Sequence, residues 1–265
     1  MTDLQKALAN ILVQQERSKR PLAVILAGHN GSGKTTLWDE QLADTLQMPL
    51  INADRMMLSI LPSKVPLPEW AVNVRDTHEG WMKVAQKGVE AFVAQAMDKK
   101  VPFAMETVFS HWVDRGNGKF ESKIDKIREL RKAGYFVLLL FVGLTNKFLS
   151  VARVEKRVAD KGHDVPIIKL ISRFPRTQKA IRNAVEIADA SILVDNSRKE
   201  EQAFTLCRVQ MKKEICFDLR GLVCVDGERR MINRPGSSLY PYEIAEWMEL
   251  VCPLRLPYTD EPTLF

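Results

Sequence analysis

The stretch Gly28-His29-Asn30-Gly31-Ser32-Gly33-Lys34-Thr35 fits the pattern G-x-x-x-x-G-K-[ST], which is typical of loops that bind the phosphate groups of nucleotides. An uninterrupted apolar run, Leu22–Ala27, precedes it, as expected of a parallel strand that is buried on both faces. A helical pattern from about Lys34 to Leu46 follows it. The sequence therefore predicts a strand, a phosphate-binding loop and a helix in that order.

The residue types within this loop predict how it would hold a nucleotide. Glycine permits backbone angles that a Cβ atom forbids, so that successive amide groups can point at phosphate oxygens. Lys34 is expected to reach the β- and γ-phosphates and Thr35 to bind magnesium, which predicts ATP and Mg2+ as the cofactors. The residues expected to contact the nucleotide here are Gly28, His29, Asn30, Gly31, Ser32, Gly33, Lys34, Thr35 and Thr36.

The charge of the chain is unevenly distributed. Its 265 residues are 46% hydrophobic, as in an ordinary globular protein, and carry a formal net charge of +6. Residues 153–182 contain nine Lys or Arg against three Asp or Glu, so the rest of the chain is balanced. A surplus confined to one segment indicates a local anion site rather than a broad basic surface, and we therefore do not expect a nucleic-acid partner.

Membrane, metal and redox functions are not indicated. The longest apolar run, Tyr135–Leu144, is too short to cross a bilayer, and the N-terminus has the spacing of an amphipathic helix rather than of a signal peptide. We therefore expect a cytoplasmic protein without a membrane partner. The cysteines contain no C-x-x-C pair, which argues against zinc binding and redox chemistry. They are Cys207, Cys216, Cys224 and Cys252.

Apolar strands alternate with amphipathic helices as far as about residue 198. This order predicts an α/β fold with a five-stranded parallel sheet flanked by helices, and a main domain over residues 1–198. Residues 199–265 are expected to form a small C-terminal extension with a possible hairpin (204–209 with 214–219) and an irregular, proline-rich tail. Pro175 is expected to interrupt the helical pattern of the basic segment.

Polar residues follow several of the apolar strands, at the edge of a parallel sheet where ligands bind. Asp54 could accept the proton of a substrate hydroxyl, or it could instead cap the helix that follows. Glu106 could hold a magnesium-bound water or a substrate hydroxyl, or be a solvent-exposed carboxylate. The arginines of residues 153–182 could clamp a phosphoryl group as part of a lid over the triphosphate, or simply face solvent.

Several stretches occur together in a characteristic order. They are Ala27–Thr36, Ile51-Asn52-Ala53-Asp54, Glu106-Thr107 with Ser110, Gly134-Tyr135, Arg153-Val154 to Arg157-Val158, Gly162-His163-Asp164-Val165-Pro166, Arg173 to Arg176 and Asp195-Asn196-Ser197. In this combination the chain resembles the zeta-toxin family of small-molecule kinases, over about residues 20–200.

That resemblance implies a P-loop kinase fold and the ATP- and magnesium-dependent phosphorylation of a sugar hydroxyl on UDP-N-acetylglucosamine. It also implies toxicity that an antitoxin controls, and we expect the antitoxin to be a separate chain. Lys34 belongs to the catalytic residues in this scheme. The other site residues that the resemblance implies are the base Asp54, the substrate-facing Glu106 and Thr107, the γ-phosphate contacts Arg157 and Arg173, and the nucleotide contact Asn196.

Two other functions fit parts of the pattern. A polynucleotide 5′-hydroxyl kinase would use the same loop, aspartate and arginines on a nucleic-acid end, but the confinement of the charge surplus counts against it. A nucleotide-binding switch would bind ATP without transferring phosphate, but carboxylates at two neighbouring strand ends count against it. The favoured hypothesis is a kinase that acts on a nucleotide sugar.

Overall fold

The apolar stretches of the sequence form the strands of one central sheet. The structure is a computed structural model that describes residues 2–62, 66–76, 79–117, 120–159, 165–225, 228–231 and 242–253. The strands are β1 (Leu22–Gly28), β2 (Leu50–Ile51), β3 (Phe103–Thr107), β4 (Trp112–Asp114), β5 (Phe120–Ser122), β6 (Phe136–Gly143), β7 (Ala190–Asp195), β8 (Thr205–Met211), β9 (Glu214–Asp218), β10 (Leu222–Val225) and β11 (Glu228–Met231). The α-helices are α1 (Asp3–Ser18), α2 (Lys34–Leu37), α3 (Ala43–Leu46), α4 (Ala53–Ser59), α5 (Glu69–Asp76), α6 (Glu79–Lys99), α7 (Ile124–Lys132), α8 (Lys147–Ala159), α9 (Ile167–Ile187) and α10 (Tyr242–Val251).

The central sheet has the strand order β2-β3-β1-β6-β7-β8-β9. Its first five strands are parallel, whereas β8 runs antiparallel to β7 and β9 antiparallel to β8. The expected α/β fold is confirmed, but the predicted count of five strands was wrong, because the sheet has seven. The β8–β9 hairpin continues the sheet, since pairing with β7 occupies hydrogen-bonding groups that an edge strand would leave open. The domain division after residue 198 stays a prediction.

Both faces of the sheet are covered, and β1 shows how. Its even-numbered residues join a core with α1, whereas its odd-numbered residues join a second core with α6, α7 and α9. Side chains of a strand alternate between the two faces, so a strand covered on both sides has no polar face. This explains the uninterrupted apolar run before the loop. Because these five strands are parallel, the carboxyl ends of β1, β2, β3, β6 and β7 lie along one edge of the sheet.

Two helical regions depart from the prediction. The helix after the loop is interrupted by a π-helical turn, Trp38–Leu42, between α2 and α3. Pro175 lies inside α9 and does not interrupt it, so that prediction was wrong. Pro175 is exposed, and the neighbouring Phe174 and Thr177 are buried, so packing on one side holds the helix together. Gly162 and its neighbours at 160–164 lie outside the described residues.

A helix near the C-terminus supports the ends of β6 and β7. Trp247 of α10 is buried, and its Nε1 donates a 3.0 Å hydrogen bond to Asp195 Oδ1. A Cβ atom on Gly143 would lie 2.8 Å from the Trp247 ring, so only glycine permits this approach. The sequence did not predict this helix. Across the part of the chain that the structure describes, no helix has both the length and the hydrophobicity that a membrane crossing requires.

Candidate active site

The phosphate loop (Gly28–Thr35) begins where β1 ends and leads directly into α2. Gly31 and Gly33 have φ angles of 69° and 86°, in the left-handed region that favours glycine. A Cβ atom on Gly33 would lie 2.6 Å from Asn196 Nδ2, and one on Gly28 would lie 2.7 Å from the Val142 carbonyl oxygen. The loop therefore needs these glycines for its backbone shape and for the close approach of its neighbours.

Side-chain donors occupy the carbonyl groups of the loop. Ser150 Oγ of α8 donates to the Asn30 carbonyl at 2.7 Å, and Asn196 Nδ2 donates to the Ser32 carbonyl at 2.9 Å. Arg153 Nη1 donates to the Asn196 carbonyl at 2.6 Å, so α8 holds the loop and its support together. Because carbonyl oxygens repel phosphate, pairing them with protein donors leaves the loop amides as the groups that can face an anion.

Lys34 lies at the centre of the site, and its side chain is only 7% exposed. Its Nζ donates to the carbonyls of Gly28 (3.1 Å) and His29 (2.9 Å). Burial is the largest cause of a lowered pKa at Lys34. The Glu106 and Asp54 carboxylates act in the opposite direction, whereas Arg157 lowers the pKa further. Charges from three distant parts of the sequence thus act on one ammonium group.

Glu106 is the carboxylate nearest the loop. Its side chain is 9% exposed, and its Oε1 lies 3.9 Å from Lys34 Nζ. Thr35 Oγ1 lies 3.4 and 3.3 Å from the two Glu106 oxygens, and Asn52 Nδ2 donates to Oε2 at 2.8 Å. Glu106 is therefore not the solvent-exposed carboxylate that the sequence left open as an alternative.

The same pair of oxygen-bearing side chains offers a test of the magnesium expectation. The Thr35 hydroxyl and the Glu106 carboxylate are hard oxygen donors, which suit Mg2+. The described residues contain no group of three or more His, Cys, Asp or Glu that could hold a metal by themselves. A threonine hydroxyl beside one carboxylate fits an ion that keeps several waters and is completed by phosphate oxygens, as Mg2+ commonly is at nucleotide sites.

Asp54 lies in the first turn of α4 with its side chain exposed. The residue that caps this helix is Asn52, whose Oδ1 accepts a 2.7 Å hydrogen bond from the Asp54 backbone N–H. The capping role considered for Asp54 therefore belongs to Asn52. The Asp54 carboxylate raises the pKa of both Lys34 and Arg173, so it lies within electrostatic range of the loop and of α9.

The predicted substrate contact Thr107 ends β3 next to Glu106. Its Oγ1 accepts a 3.1 Å hydrogen bond from the Phe109 backbone N–H, and Phe109 has a φ of 61°. A hydroxyl that accepts in this way keeps its proton for donation to another group. Thr107 is half-buried at the carboxyl edge of the sheet, where a substrate hydroxyl or phosphate could accept that proton.

The two predicted arginines come from different helices. Arg157 is exposed on α8, and its positive charge lowers the pKa of Lys34. Arg173 is half-buried on α9, where burial, and then the nearby Arg176, lowers its pKa, while Asp54 opposes the shift. Arg153, by contrast, donates a hydrogen bond to the Asn196 carbonyl and so supports the loop through Asn196. Of the described residues of the basic segment, Arg157 interacts electrostatically with Lys34, and Arg173 with Asp54.

His29 occupies a different place from the one that its position in the loop suggested. Its ring is buried, stacks on Phe174 of α9 at 3.8 Å between centroids, and meets the edge of Phe141 at 5.7 Å. Burial, together with the positive charge of Lys34, lowers its pKa to about 3, so the imidazole is neutral near pH 7. The side chain therefore links the loop to α9, next to Arg173.

The structure thus brings Lys34, Thr35 and Glu106 into one cluster, with Asp54, Arg157 and Arg173 around it. Sequence reasoning missed the roles of three further residues: Asn52, Ser150 and Phe174. An asparagine two residues before Asp54, at the start of a helical pattern, was the available signal for Asn52. No comparable signal marks Ser150 or Phe174, whose partners lie far away in the sequence. The catalytic roles themselves stay predictions.

Comparisons with known proteins agree with this architecture. A family model described as "Zeta toxin" matches residues 7–204. An uncharacterized protein of Haemophilus influenzae is 26% identical over 141 residues, which are 53% of this chain and 84% of that protein.

Solved structures show the same fold at low identity. One comes from the PezAT chromosomal toxin–antitoxin system of Streptococcus pneumoniae, with a TM-score of 0.50 and 18% identity over 79% of this chain and 81% of that chain. Another comes from the complex of AvrRxo1-ORF1 with AvrRxo1-ORF2, solved with sulphate ions, with a TM-score of 0.57 and 16% identity over 97% and 72% of the respective chains. At these identities the likeness concerns the fold alone.

Proposed function

This chain belongs to the zeta-toxin family and is a phosphotransferase, and we propose that it transfers the γ-phosphate of ATP to a hydroxyl group of a nucleotide sugar resembling UDP-N-acetylglucosamine. The observation that carries the proposal is the contact of Lys34 and Thr35 with Glu106, together with the charges of Asp54 and Arg157, which act on the pKa of Lys34, and of Arg173, whose pKa Asp54 raises. Nucleotide binding by the loop uses Lys34 and Thr35, whereas phosphoryl transfer to a hydroxyl also uses a base and arginines that orient the phosphoryl group.

The residues divide the chemical work between them. When bound, ATP and Mg2+ supply the phosphoryl group and the positive charge that neutralises its oxygens. Lys34 stabilises the negative charge that develops on the β- and γ-phosphates, because its ammonium group is already fixed in a buried position. Thr35 and Glu106 present the oxygen atoms that suit the metal and its waters.

In this proposal Asp54 acts as the base. It accepts the proton of the acceptor hydroxyl while the new oxygen–phosphorus bond forms and the bond to ADP breaks. Arg157 and Arg173 orient the phosphoryl group from the side of α8 and α9, because a guanidinium fork matches phosphate oxygens. Asp54 also raises the pKa of Arg173, because its negative charge stabilises the charged guanidinium group.

The acceptor is expected to be a small molecule. Asp54 is exposed, so the space in front of it is open to a ligand, whereas Glu106 and Lys34 are buried behind it. The charge surplus lies in one segment next to the phosphate loop and provides no extended track for a nucleic-acid backbone. Family membership favours a nucleotide sugar, and toxicity restrained by a separate antitoxin chain belongs to the same proposal.

Product identification tests the proposal directly. The purified protein is incubated with γ-labelled ATP and magnesium and with UDP-N-acetylglucosamine, UDP-glucose, a 5′-hydroxyl oligonucleotide or a metabolite extract. We expect labelled, mass-shifted nucleotide sugar with the wild type and none with Lys34→Ala. Labelling of the oligonucleotide alone would replace the nucleotide sugar with a nucleic-acid acceptor, and no labelling of any acceptor would contradict the proposed reaction.

A further inference from the structure

One amide side chain joins the two carboxylate-bearing elements of the site. Asn52 Nδ2 donates to Glu106 Oε2 at 2.8 Å, while Asn52 Oδ1 accepts from the Asp54 backbone N–H at 2.7 Å. The orientation of the amide is unambiguous, because a carboxylate requires a donor and a backbone N–H requires an acceptor. Asn52 therefore uses one face for Glu106 and the other for the turn that carries Asp54.

The register of the sheet makes this bridge possible. Ile51 of β2 pairs with Met105 of β3, so Asn52, which follows β2, lies beside Glu106 near the carboxyl end of β3. Of the small residues that cap helices well, asparagine has both a hydrogen-bond acceptor and an NH2 group. Aspartate and serine keep the acceptor for the cap, but aspartate lacks the donor and serine lacks the reach.

The bridge is the shortest contact that the Glu106 carboxylate makes among the described residues. Thr35 Oγ1 lies at 3.3 and 3.4 Å, and Lys34 Nζ at 3.9 Å. Without the Asn52 donor, the nearest cation for this carboxylate is the Lys34 ammonium group. A carboxylate that turned toward Lys34 would compete with phosphate for its charge and would leave Thr35.

We propose that Asn52 is a positioning residue for phosphoryl transfer: it holds Glu106 beside Thr35 and keeps it from closing on Lys34 beyond the present 3.9 Å, while it fixes the helical turn that presents Asp54. This inference rests on the proposed function. The hydrogen bonds of the Asn52 side chain join it to Glu106 and to the Asp54 backbone, so it acts through these two carboxylate residues. A displacement of about 1 Å at a reacting group can cost on the order of 10²-fold in rate.

Two substitutions separate positioning from capping. Asn52→Asp and Asn52→Ser both keep a good N-cap, so the thermal unfolding midpoint should stay close to that of the wild type. Both lose the donor to Glu106, and kcat should fall by about 10- to 100-fold with little change in the KM for ATP. Asn146→Asp is the matched control, because Asn146 Oδ1 caps α8 through Leu149 N without a carboxylate partner. The control should keep the wild-type kcat.

The outcomes are distinct. Wild-type kcat in both Asn52 variants, or loss of kcat only in step with loss of thermal stability, would overturn the positioning role. If the wild type itself transfers no phosphate, the proposed function has failed, and crystal structures of the wild type and Asn52→Ser decide the inference instead. A Glu106 carboxylate that leaves Thr35 in the variant supports positioning, and one that stays in place contradicts it.

Discussion

The phosphate loop and the acceptor edge of the same site are built in different ways. The loop is braced by α8 through Ser150, by the end of β7 through Asn196 and by α9 through the ring of Phe174. The acceptor edge, defined by Asp54, Glu106, Thr107, Arg157 and Arg173, draws on four separate elements, and its proposed base faces solvent. The difference indicates that the phosphate loop has its binding conformation before a nucleotide binds, whereas the acceptor edge is completed when the acceptor binds.

Apart from loss of the proposed base, removal of the buried ammonium group should have the largest effect. Lys34→Ala should lower transfer by ~10²- to 10³-fold, because it removes a buried charge that the loop carbonyls hold in place for the β- and γ-phosphates. Lys6→Ala, at an exposed position of α1, is the control and should keep full activity. The rates are measured with labelled ATP and excess acceptor. Near-normal turnover in Lys34→Ala would place the chemistry elsewhere in the protein.

Loss of an arginine at the acceptor edge should have the next largest effect. Arg157→Ala and Arg173→Ala should each lower kcat by about 10- to 100-fold, the loss expected for one charge-assisted hydrogen bond in the transition state. Affinity for an ATP analogue should change much less, because the loop binds most of the nucleotide. Arg128→Ala on α7 is the exposed control. Equal losses of affinity and kcat would assign these arginines to nucleotide binding.

The link between the two regions through His29 and Phe174 should have a moderate effect. Phe174→Leu keeps most of the buried volume but loses the ring stack at 3.8 Å that holds α9 against the loop. We expect kcat to fall by up to about tenfold, with a smaller change in ATP affinity. Phe148→Leu, at a position 68% exposed on α8, is the matched control. An unchanged kcat in Phe174→Leu would show that catalysis does not depend on the ring stack that holds α9 against the loop.

Replacement of the buried His29 should have the smallest effect, a change in how the free energy of unfolding depends on pH. Its pKa is about 3 in the folded protein against 6.5 in the unfolded chain, so only the unfolded chain binds this proton between those values. Stability contributed by neutral His29 is therefore present above pH 6.5 and falls as the pH is lowered, by at most about 1.4 kcal/mol per pH unit.

Denaturant titrations at pH 4.5 to 7 measure this dependence. The difference in unfolding free energy between wild type and His29→Leu should shrink as the pH falls through this range. The exposed His111→Leu control should follow the wild type. A constant difference across the range would mean that His29 takes up its proton in the folded protein as readily as in the unfolded chain.

The sequence predicted the loop far better than the rest of the site. The strand, the glycines and Lys34 act through neighbours in the chain, so a local pattern carries the information. The bond between Asn52 and Glu106 depends on the register of β2 against β3, and the stack between His29 and Phe174 on how α9 packs. These contacts join residues 54 and 145 positions apart, where local patterns carry no information.

The errors in the fold have the same origin. The sequence predicted that 204–209 and 214–219 could pair as a hairpin. The pairing of this hairpin with β7 joins distant segments of the chain, which local propensity does not encode. Pro175 was expected to break a helix, yet the burial of Phe174 and Thr177 holds α9 in place across it. In both cases tertiary packing outweighed a local preference.

The most direct measurement compares nucleotide affinity and single-turnover transfer in the same preparations of wild type and Asp54→Asn, with Asp44→Asn as an exposed control. The substitution keeps the shape of the side chain but removes the proton acceptor. We predict that affinity for a non-hydrolysable ATP analogue survives, while transfer to the nucleotide sugar drops by roughly 10²- to 10⁴-fold. Affinity and transfer that fall together, or transfer that stays normal, would contradict the assignment of Asp54 as the base and the division of the site into a binding loop and an acceptor edge.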